Sequence, residues 1–104
     1  MKVDKILEIL ERARGFEWDK GNSQKNWIRH KVRDKECEEI FFNRPLFVNF
    51  DEKHSAKEEK RFQALGKTNR ERKLFVVFTI RKNRIRVISA RDQNKEERRQ
   101  YEKT

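Results

Sequence analysis

Apolar and polar residues alternate with a period of two in the second half of the chain, which is the pattern of β-strands. The two clearest strands run from Lys73 to Ile80 and from Arg84 to Ala90. Between them, Lys82-Asn83 has the length and composition of a two-residue hairpin turn. The shorter runs LFVNF and KRFQALG predict further strands. We therefore expect an antiparallel sheet of about four strands.

The beginning of the chain has apolar residues at helical spacing instead. A helix is predicted over residues 3–14, with Gly15 as its C-terminal stop. Its apolar stripe consists of Val3, Ile6, Leu7, Leu10 and Ala13. We expect most of this stripe to be buried, in this chain or against a partner. Residues 1–15 are thus interpreted as a helical extension, and residues 16–104 as one domain.

Two helices are predicted between the extension and the sheet, and one after it. Ser23 fits the N-cap of the first, which carries Trp27, Ile28 and His30. Asp34 fits the N-cap of the next, whose buried side is formed by Cys37, Ile40 and Phe41. In the last helix, Asn94 and Glu97 have the spacing of a capping box. Because that helix has only Tyr101 to bury, hydrophobic packing alone will not hold it in place.

The hairpin turn decides which side chains share a face of the sheet. A two-residue turn pairs Arg81 with Arg84. The core face then carries Leu74, Val76, Phe78, Ile80, Ile85 and Val87. The opposite side, which we call the arginine face, carries Arg81, Arg84 and Arg86 beside Phe75, Val77, Thr79, Ile88 and Ala90. A loop one residue longer would turn arginines into the core, so we expect this register.

Three guanidinium groups on one sheet face need a physical reason, because exposed ion pairs contribute only about 0–1 kcal/mol each. One reason is an anionic ligand, since a guanidinium binds phosphate through two hydrogen bonds and stays charged at physiological pH. The alternative is a solvated face on which neighbouring glutamates pair with the arginines. The spacing of the residues leaves both interpretations open.

Composition adds three constraints. The chain has 28 Lys and Arg against 18 Asp and Glu, and a net charge of +10 favours a nucleic acid or another anionic partner. A membrane span is not predicted, because the longest apolar run, Leu74 to Ile80, is far shorter than about 18 residues. Cys37 is the single cysteine, which together with the absence of a signal-peptide pattern favours a reducing cytoplasm.

The order of several short motifs resembles the BrnT family, the ribonuclease half of bacterial type II toxin–antitoxin pairs. FEWD at Phe16–Asp19 opens the resemblance, and Asn26 and His30 follow in NWIRH. DEKHS at Asp51–Ser55 comes next, then RFQALGKT, FVVFTIR, IRVISAR and ERRQYE. Together these motifs cover nearly the whole chain after Gly15.

The resemblance implies a RelE-like α+β fold, in which helices pack on one face of a curved antiparallel sheet. It also implies an RNA substrate and arrest of growth by cleavage of RNA. The partner it implies is a BrnA-type antitoxin with a ribbon-helix-helix domain. Toxin and antitoxin would form a heterotetramer that binds operator DNA.

Cleavage by the 2′-hydroxyl of RNA requires a base, an acid and cations at the phosphate, but no metal ion or cofactor. No metal site is predicted, because two distant histidines and one cysteine do not form a ligand set. The predicted phosphate-stabilising residues are Arg81 and Arg86, with Arg61 added at a family position. Contacts to the RNA backbone are predicted for Lys82, Arg84 and Arg91, although Arg91 has the alternative of binding the last helix.

The two histidines are candidates for the acid or the base, because their ordinary pKa lies near neutrality. His54 has the alternative role of a turn residue bonded to Asp51, and His30 that of packing beside Trp27. Tyr101 either contacts RNA or anchors the last helix.

A second function class remains open, a non-catalytic basic module whose arginines position a nucleic acid without cleaving it. Glu58 and Glu59 are further candidates for the base, with a solvated charge run as their alternative. Incubation with RNA in EDTA distinguishes the two classes.

Overall fold

The structure is a computed structural model that describes Glu8 and residues 10–103. Its centre is an open antiparallel sheet of four strands in the order β1-β2-β3-β4. The strands are β1 (Phe47–Phe50), β2 (Arg61–Lys67), β3 (Lys73–Arg81) and β4 (Arg84–Asp92). The helices are α1 (Lys20–His30), α2 (Asp34–Glu39) with a 3-10 turn (Ile40–Phe42), and α3 (Lys95–Glu102). The predicted mixture of helices with four antiparallel strands is confirmed.

The predicted N-terminal helix falls partly within the described residues. Glu8 and residues 10–12 are helical. Leu10 and Ala13 pack against the hydrophobic core, so the end of the extension contributes to the fold of the domain. The other members of the predicted stripe lie outside the described residues: Val3, Ile6 and Leu7. No helix within the described part is long and apolar enough to cross a membrane.

The core lies between the sheet and α2 with its 3-10 turn. Phe78 contacts Phe41 edge to face, with 5.1 Å between ring centroids, and stacks on Phe62 at 5.4 Å. The turn approaches β2 closely, because a Cβ added to Gly66 would lie 2.8 Å from the Cβ of Ile40. The core face is as predicted, apart from Ile80, which is half-buried: Leu74, Val76, Phe78, Ile85 and Val87 are buried.

The β3–β4 hairpin has the predicted turn. Arg81 pairs with Arg84, and both Lys82 (φ 51°) and Asn83 (φ 62°) have positive φ, as a type I′ turn requires. Arginines 81, 84 and 86 therefore share the face opposite the core.

A β-bulge changes the facing beyond the turn. Phe78 pairs with Val87, whereas Val77 pairs with Ser89, so Ile88 is an extra residue in β4. The prediction that Ala90 lies on the arginine face is wrong, because the bulge rotates it into the core, where it is fully buried.

The free edge of β4 is covered by asparagine side chains of α1. Asn22 donates from Nδ2 to the carbonyl of Val87 (3.0 Å), and Asn26 accepts from the N–H of Ala90 (3.0 Å). Both asparagines are buried, at 5% and 0% exposure. Their amides replace the backbone of a neighbouring strand and satisfy polar groups that would otherwise be buried without partners.

This contact reverses the usual amphipathic arrangement of a helix. The large apolar residues of α1, Trp27 and Ile28, are 42% and 69% exposed. The side of α1 that meets the sheet edge is polar because it must hydrogen-bond to backbone groups, whereas a helix on a sheet face has an apolar contact side.

The segment before α1 extends the coverage of the same edge. Ile85 donates its N–H to the carbonyl of Gly15 (2.8 Å) and accepts from the N–H of Glu17 (2.9 Å). Phe16 and Ile85 thereby form a parallel bridge.

The start of α1 differs from the prediction. Ser23 is not the N-cap; Asp19 is, because its carboxylate accepts from Asn22 N–H (3.1 Å) while the Asn22 side chain accepts from Asp19 N–H (2.8 Å). Ser23 instead donates to the carboxylate of Asp34 (2.7 Å) and joins α1 to α2. Asp34 is the first residue of α2, whose preceding residue Arg33 is its N-cap.

Helix α3 lies on the arginine face, at the end remote from the hairpin turn, so the helices do not all pack on one face. Tyr101 is buried against Phe47 (5.7 Å between centroids) and donates to the carbonyl of Pro45 (2.6 Å). Glu97 accepts two hydrogen bonds from Arg91 (2.8 and 3.0 Å), and Lys73 pairs with Glu102. Polar contacts thus hold this helix, as its composition predicted.

Arg72 joins the other end of the sheet to both preceding helices. Its guanidinium donates to Asp92 (2.7 Å), to Glu36 (3.1 Å), and to the carbonyls of Lys31 (2.8 Å) and His30 (3.2 Å). The hydrogen bond from Arg72 lowers the pKa of the Asp92 carboxyl.

We predict that Asn26→Ala lowers the free energy of unfolding by about 1–3 kcal/mol, because the buried N–H of Ala90 loses its acceptor. Ile28→Ala, two residues later on the exposed side of α1, is the control and should change stability by less than about 0.5 kcal/mol. Urea unfolding measures both. Equal effects of the two substitutions would show that the asparagine does not support the sheet edge.

A second prediction concerns the stability of the protein at acid pH. The folded-state pKa of Asp92 lies below its unfolded value of about 3.9, so its contribution is present above that value and is lost as the pH falls through the folded pKa. Arg72→Leu should destabilise the protein by about 1.5–3 kcal/mol at neutral pH, and by clearly less at about pH 2. Arg70→Leu removes the same charge from an exposed position and serves as the control. A loss in the Arg72 variant that is independent of pH would contradict the ion-pair explanation.

Candidate nucleic-acid interface

One row of residues crosses the arginine face near the hairpin turn. Arg61 pairs with Thr79, and Thr79 pairs with Arg86. Asp51 continues the row past β2, since its N–H donates to the carbonyl of Arg61 (2.8 Å). Neighbouring strands are about 4.8 Å apart, so the main chains of Arg61 and Arg86 are separated by about 10 Å. Their long side chains are therefore able to reach one phosphodiester group.

Thr79 forms the floor between these two arginines. It is short and only 3% exposed, and its hydroxyl donates to the carbonyl of Lys60 (2.7 Å). Since Phe78 faces the core, Thr79 lies on the opposite face, between Arg61 and Arg86. The site has no bulky residue at its centre, and we call the surface over Thr79 between these arginines the groove.

Carboxylates alternate with the guanidinium groups along this groove. Glu59 accepts from Nε of Arg61 (3.0 Å) and lies 3.7 Å from Arg81. Glu17 accepts from Arg81 (3.4 Å) and from Arg86 (2.9 Å). The glutamate pairing expected of a solvated face is therefore present. The arginines differ, however, in how firmly these carboxylates hold them.

Arg86 is held firmly. Its side chain is 17% exposed, and one of its nitrogens contacts both Glu17 and Asp19 at 2.9 Å. The hydrogen bond to Asp19 is the main cause that raises the pKa of Arg86. Through these contacts the guanidinium of Arg86 ties the segment before α1 to β4.

Arg81 is held loosely by comparison. Its side chain is 49% exposed, and its contacts to Glu17 and Glu59 are long, at 3.4 and 3.7 Å. Such pairs are weak because water screens them. Arg81 is therefore the most exposed and most weakly paired arginine of the groove.

The hairpin turn adds positive charge without compensation. Lys82 and Arg84 are exposed, and among the described residues neither has a carboxylate within ion-pair distance. They extend the positive surface beyond the groove.

A histidine–carboxylate pair lies at the β1 end of the row. Nδ1 of His54 is 3.0 Å from Asp51, which is almost fully buried, while the imidazole side chain is 58% exposed. Although burial opposes ionisation of Asp51, hydrogen bonds from Gln63 and His54 outweigh it and lower the pKa of that carboxyl. Asp51 binds the ring through Nδ1, and among the described residues no hydrogen bond engages Nε2. The predicted bond between the two residues is confirmed.

The loop that carries this pair is fixed to β2. Ser55 donates its hydroxyl to the carbonyl of Asp51 (2.6 Å) and accepts from the N–H of Arg61 (2.9 Å). His54 and Arg61 are therefore held on the same side of the sheet end.

Three of the predicted site residues lie elsewhere. His30 ends α1 beside the Arg72 cluster, about 20 Å along β4 from Arg86 at about 3.3 Å per residue. Tyr101 is part of α3 and is buried between this helix and Phe47, where burial raises the pKa of its hydroxyl. Arg91 contacts Phe75 (4.2 Å from the ring centroid) and binds Glu97 of α3. Each of the three therefore takes the structural alternative or lies outside the groove.

The sequence analysis assigned no role to Glu17 and Asp19. The motif FEWD contains the signal, because apolar and acidic residues alternate in it with a period of two. Phe16 and Trp18 pack against the core, so the two acidic residues point to the other side, where they meet Arg86. Within the described residues, no group of three or more His, Cys, Asp or Glu side chains is arranged to hold a metal ion.

Similarity to known proteins lies at the level of a family. No curated protein matches the chain. A family model described as the ribonuclease toxin, BrnT, of type II toxin–antitoxin systems matches residues 18–97. The matched region contains α1, α2 and all four strands, together with the groove arginines and the His54–Asp51 pair. The chain therefore belongs to the BrnT family of ribonuclease toxins of type II toxin–antitoxin systems.

Proposed function

We propose that this protein is an endoribonuclease toxin that cleaves RNA without a metal ion, with the 2′-hydroxyl of the substrate as the nucleophile. The observation that carries the proposal is the groove in which Arg61, Arg81 and Arg86 lie side by side near the turn. Three permanent positive charges supply the stabilisation of the phosphate oxygens that a metal ion provides in other nucleases.

Arg81 is proposed as the principal phosphate ligand, because it is the most exposed of the three and its ion pairs are the longest. Arg61 stands on the neighbouring strand and completes the clamp. A phosphate bound between them takes the place of the Glu59 carboxylate, which bridges the same two arginines in the free protein. Arg86 contributes charge and holds the groove in shape.

His54 is proposed as the acid that protonates the leaving 5′-oxygen. Nδ1 of His54 binds Asp51, which leaves Nε2 as the nitrogen that would donate the proton. Buried Asp51 acts as a positioning residue in this scheme, since it touches the ring and not the substrate.

The proposed biology follows the family. The toxin would arrest growth in the cytoplasm until a BrnA-type antitoxin with a ribbon-helix-helix domain neutralises it. The two would form a heterotetramer that binds operator DNA. Family membership and the net charge of +10 support a protein partner and an RNA substrate. The four-stranded antiparallel sheet supports the RelE-like architecture.

We predict that the purified protein cleaves RNA in excess EDTA, and that Arg81→Ala lowers the rate on the order of 10²-fold or more. Arg81→Lys should restore only part of it, because an ammonium group lacks the planar fork. Arg70→Ala, which removes the same charge from an exposed position outside the groove, should keep the rate within about threefold. Gel analysis of a labelled RNA measures all four proteins.

The outcome also separates the two function classes. Retention of RNA on the protein without cleavage would make it a non-catalytic binder. Cleavage that survives Arg81→Ala would place the active site elsewhere. For Arg86→Ala we expect loss of stability as well as activity, because its ion pairs with Glu17 and Asp19 are lost.

A further inference from the structure

We propose that Glu17 is the general base that removes the proton from the 2′-hydroxyl of the substrate. The inference rests on the proposed ribonuclease function and assigns a catalytic residue within it. Glu17 stands one residue before the region that the family model matches, so only the geometry of the groove carries the assignment.

The main chain fixes Glu17 from both sides. Its N–H donates to the carbonyl of Ile85 (2.9 Å), and its carbonyl accepts from Nδ2 of Asn22 (3.1 Å). The neighbouring residues Phe16 and Trp18 pack against the core, which directs the Glu17 side chain over the arginine face. A base in this position needs no rearrangement before it acts.

The two oxygens of the Glu17 carboxylate differ. Oε1 accepts from Arg81 (3.4 Å) and from Arg86 (2.9 Å). Oε2 makes no hydrogen bond among the described residues, and the side chain is 28% exposed. Oε2 is thus the oxygen that is available to a substrate proton.

The position relative to Arg81 suits the reaction. The 2′-oxygen of a nucleotide is next to the phosphorus that it attacks, so the base must be a neighbour of the phosphate ligand. Glu17 is such a neighbour, since its carboxylate touches the guanidinium that we assign to the phosphate.

The other carboxylates of the groove have both oxygens engaged. Asp19 caps α1 through Oδ1 (3.1 Å from Asn22 N) and contacts Arg86 through Oδ2 (2.9 Å). Glu59 meets Arg61 through Oε1 (3.0 Å) and Arg81 through Oε2 (3.7 Å), and the phosphate that binds these arginines displaces it from the place next to them.

The proposed step balances as follows. Glu17 takes the proton of the 2′-hydroxyl, and the 2′-oxygen forms a bond to the adjacent phosphorus. The bond from phosphorus to the 5′-oxygen breaks, and that oxygen receives a proton from His54. The products are a 2′,3′-cyclic phosphate and a 5′-hydroxyl, and exchange with water restores both side chains.

The test compares Glu17→Gln with Asp19→Asn over a range of pH. Both variants remove one negative charge from the same nitrogen of Arg86, and the Asp19→Asn substitution preserves the cap of α1. The charged groups that face Glu17 are Arg81 and Arg86, with Glu59 and Asp19 beyond these guanidiniums. Asp19→Asn therefore controls for the loss of a negative charge beside Arg86, which both variants share.

If Glu17 is the base, Glu17→Gln loses on the order of 10²–10⁴ in rate, and the decline of the rate toward acid pH disappears. Asp19→Asn keeps the decline of the rate toward acid pH, because this variant retains Glu17. Glu17→Asp, which retains a carboxylate, should also keep the decline, at a reduced rate.

Two results would overturn the assignment while leaving the ribonuclease function in place. One is Glu17→Gln with the same acid decline as wild type, and the other is an equal loss of rate in Glu17→Gln and Asp19→Asn. Absence of cleavage by the wild-type protein would instead overturn the proposed function itself. Should Glu17→Gln fail to fold, loss of the acid decline in Glu17→Asp would also overturn the assignment.

Discussion

The hydrogen bonds along the outer edge of β4 are the constraint on which the groove depends. Ile85 binds the backbone of Gly15 and Glu17, while Asn22 and Asn26 bind the next part of the strand. An uncovered edge would leave polar groups unpaired and would expose a surface for strand pairing with other molecules. Covering it with residues 14–26 also places the acidic side of FEWD beside the arginines.

The same arrangement explains how the arginines are tolerated. Each guanidinium of the groove has an acidic neighbour, supplied by the segment before α1 or by the loop before β2. The ion pairs are longer at Arg81 than at Arg86. The groove therefore has one side with a firmly paired arginine and one side with a weakly paired arginine. Both sides suit the RNA substrate that we propose, because a rigid scaffold positions the charges and weakly paired charges accept the ligand.

The sequence predicted those features that short-range geometry determines. The turn at Lys82-Asn83 set the hairpin register, and the alternating pattern identified the core face and the arginine cluster. The bulge at Ile88 was missed because RVISA fits either register of alternation. The role of Asn26 was missed because the sequence of a helix does not show that one of its amide side chains will meet the edge of a sheet. Only the tertiary structure shows that contact. For Arg86, the alternation of residues along β4 predicted the correct face of the sheet. It did not predict how deeply the side chain is buried.

The chemistry of the reaction products tests the central claim most directly. If the groove cleaves RNA by attack of the substrate's own 2′-hydroxyl, mass spectrometry of the fragments will find 2′,3′-cyclic phosphate and 5′-hydroxyl ends. A single 2′-deoxy substitution at the cleaved nucleotide will block cleavage there and leave other positions unaffected. Fragments with 5′-phosphate and 3′-hydroxyl ends, or cleavage at the deoxy position, would contradict the mechanism, because water and not the 2′-oxygen would then be the nucleophile.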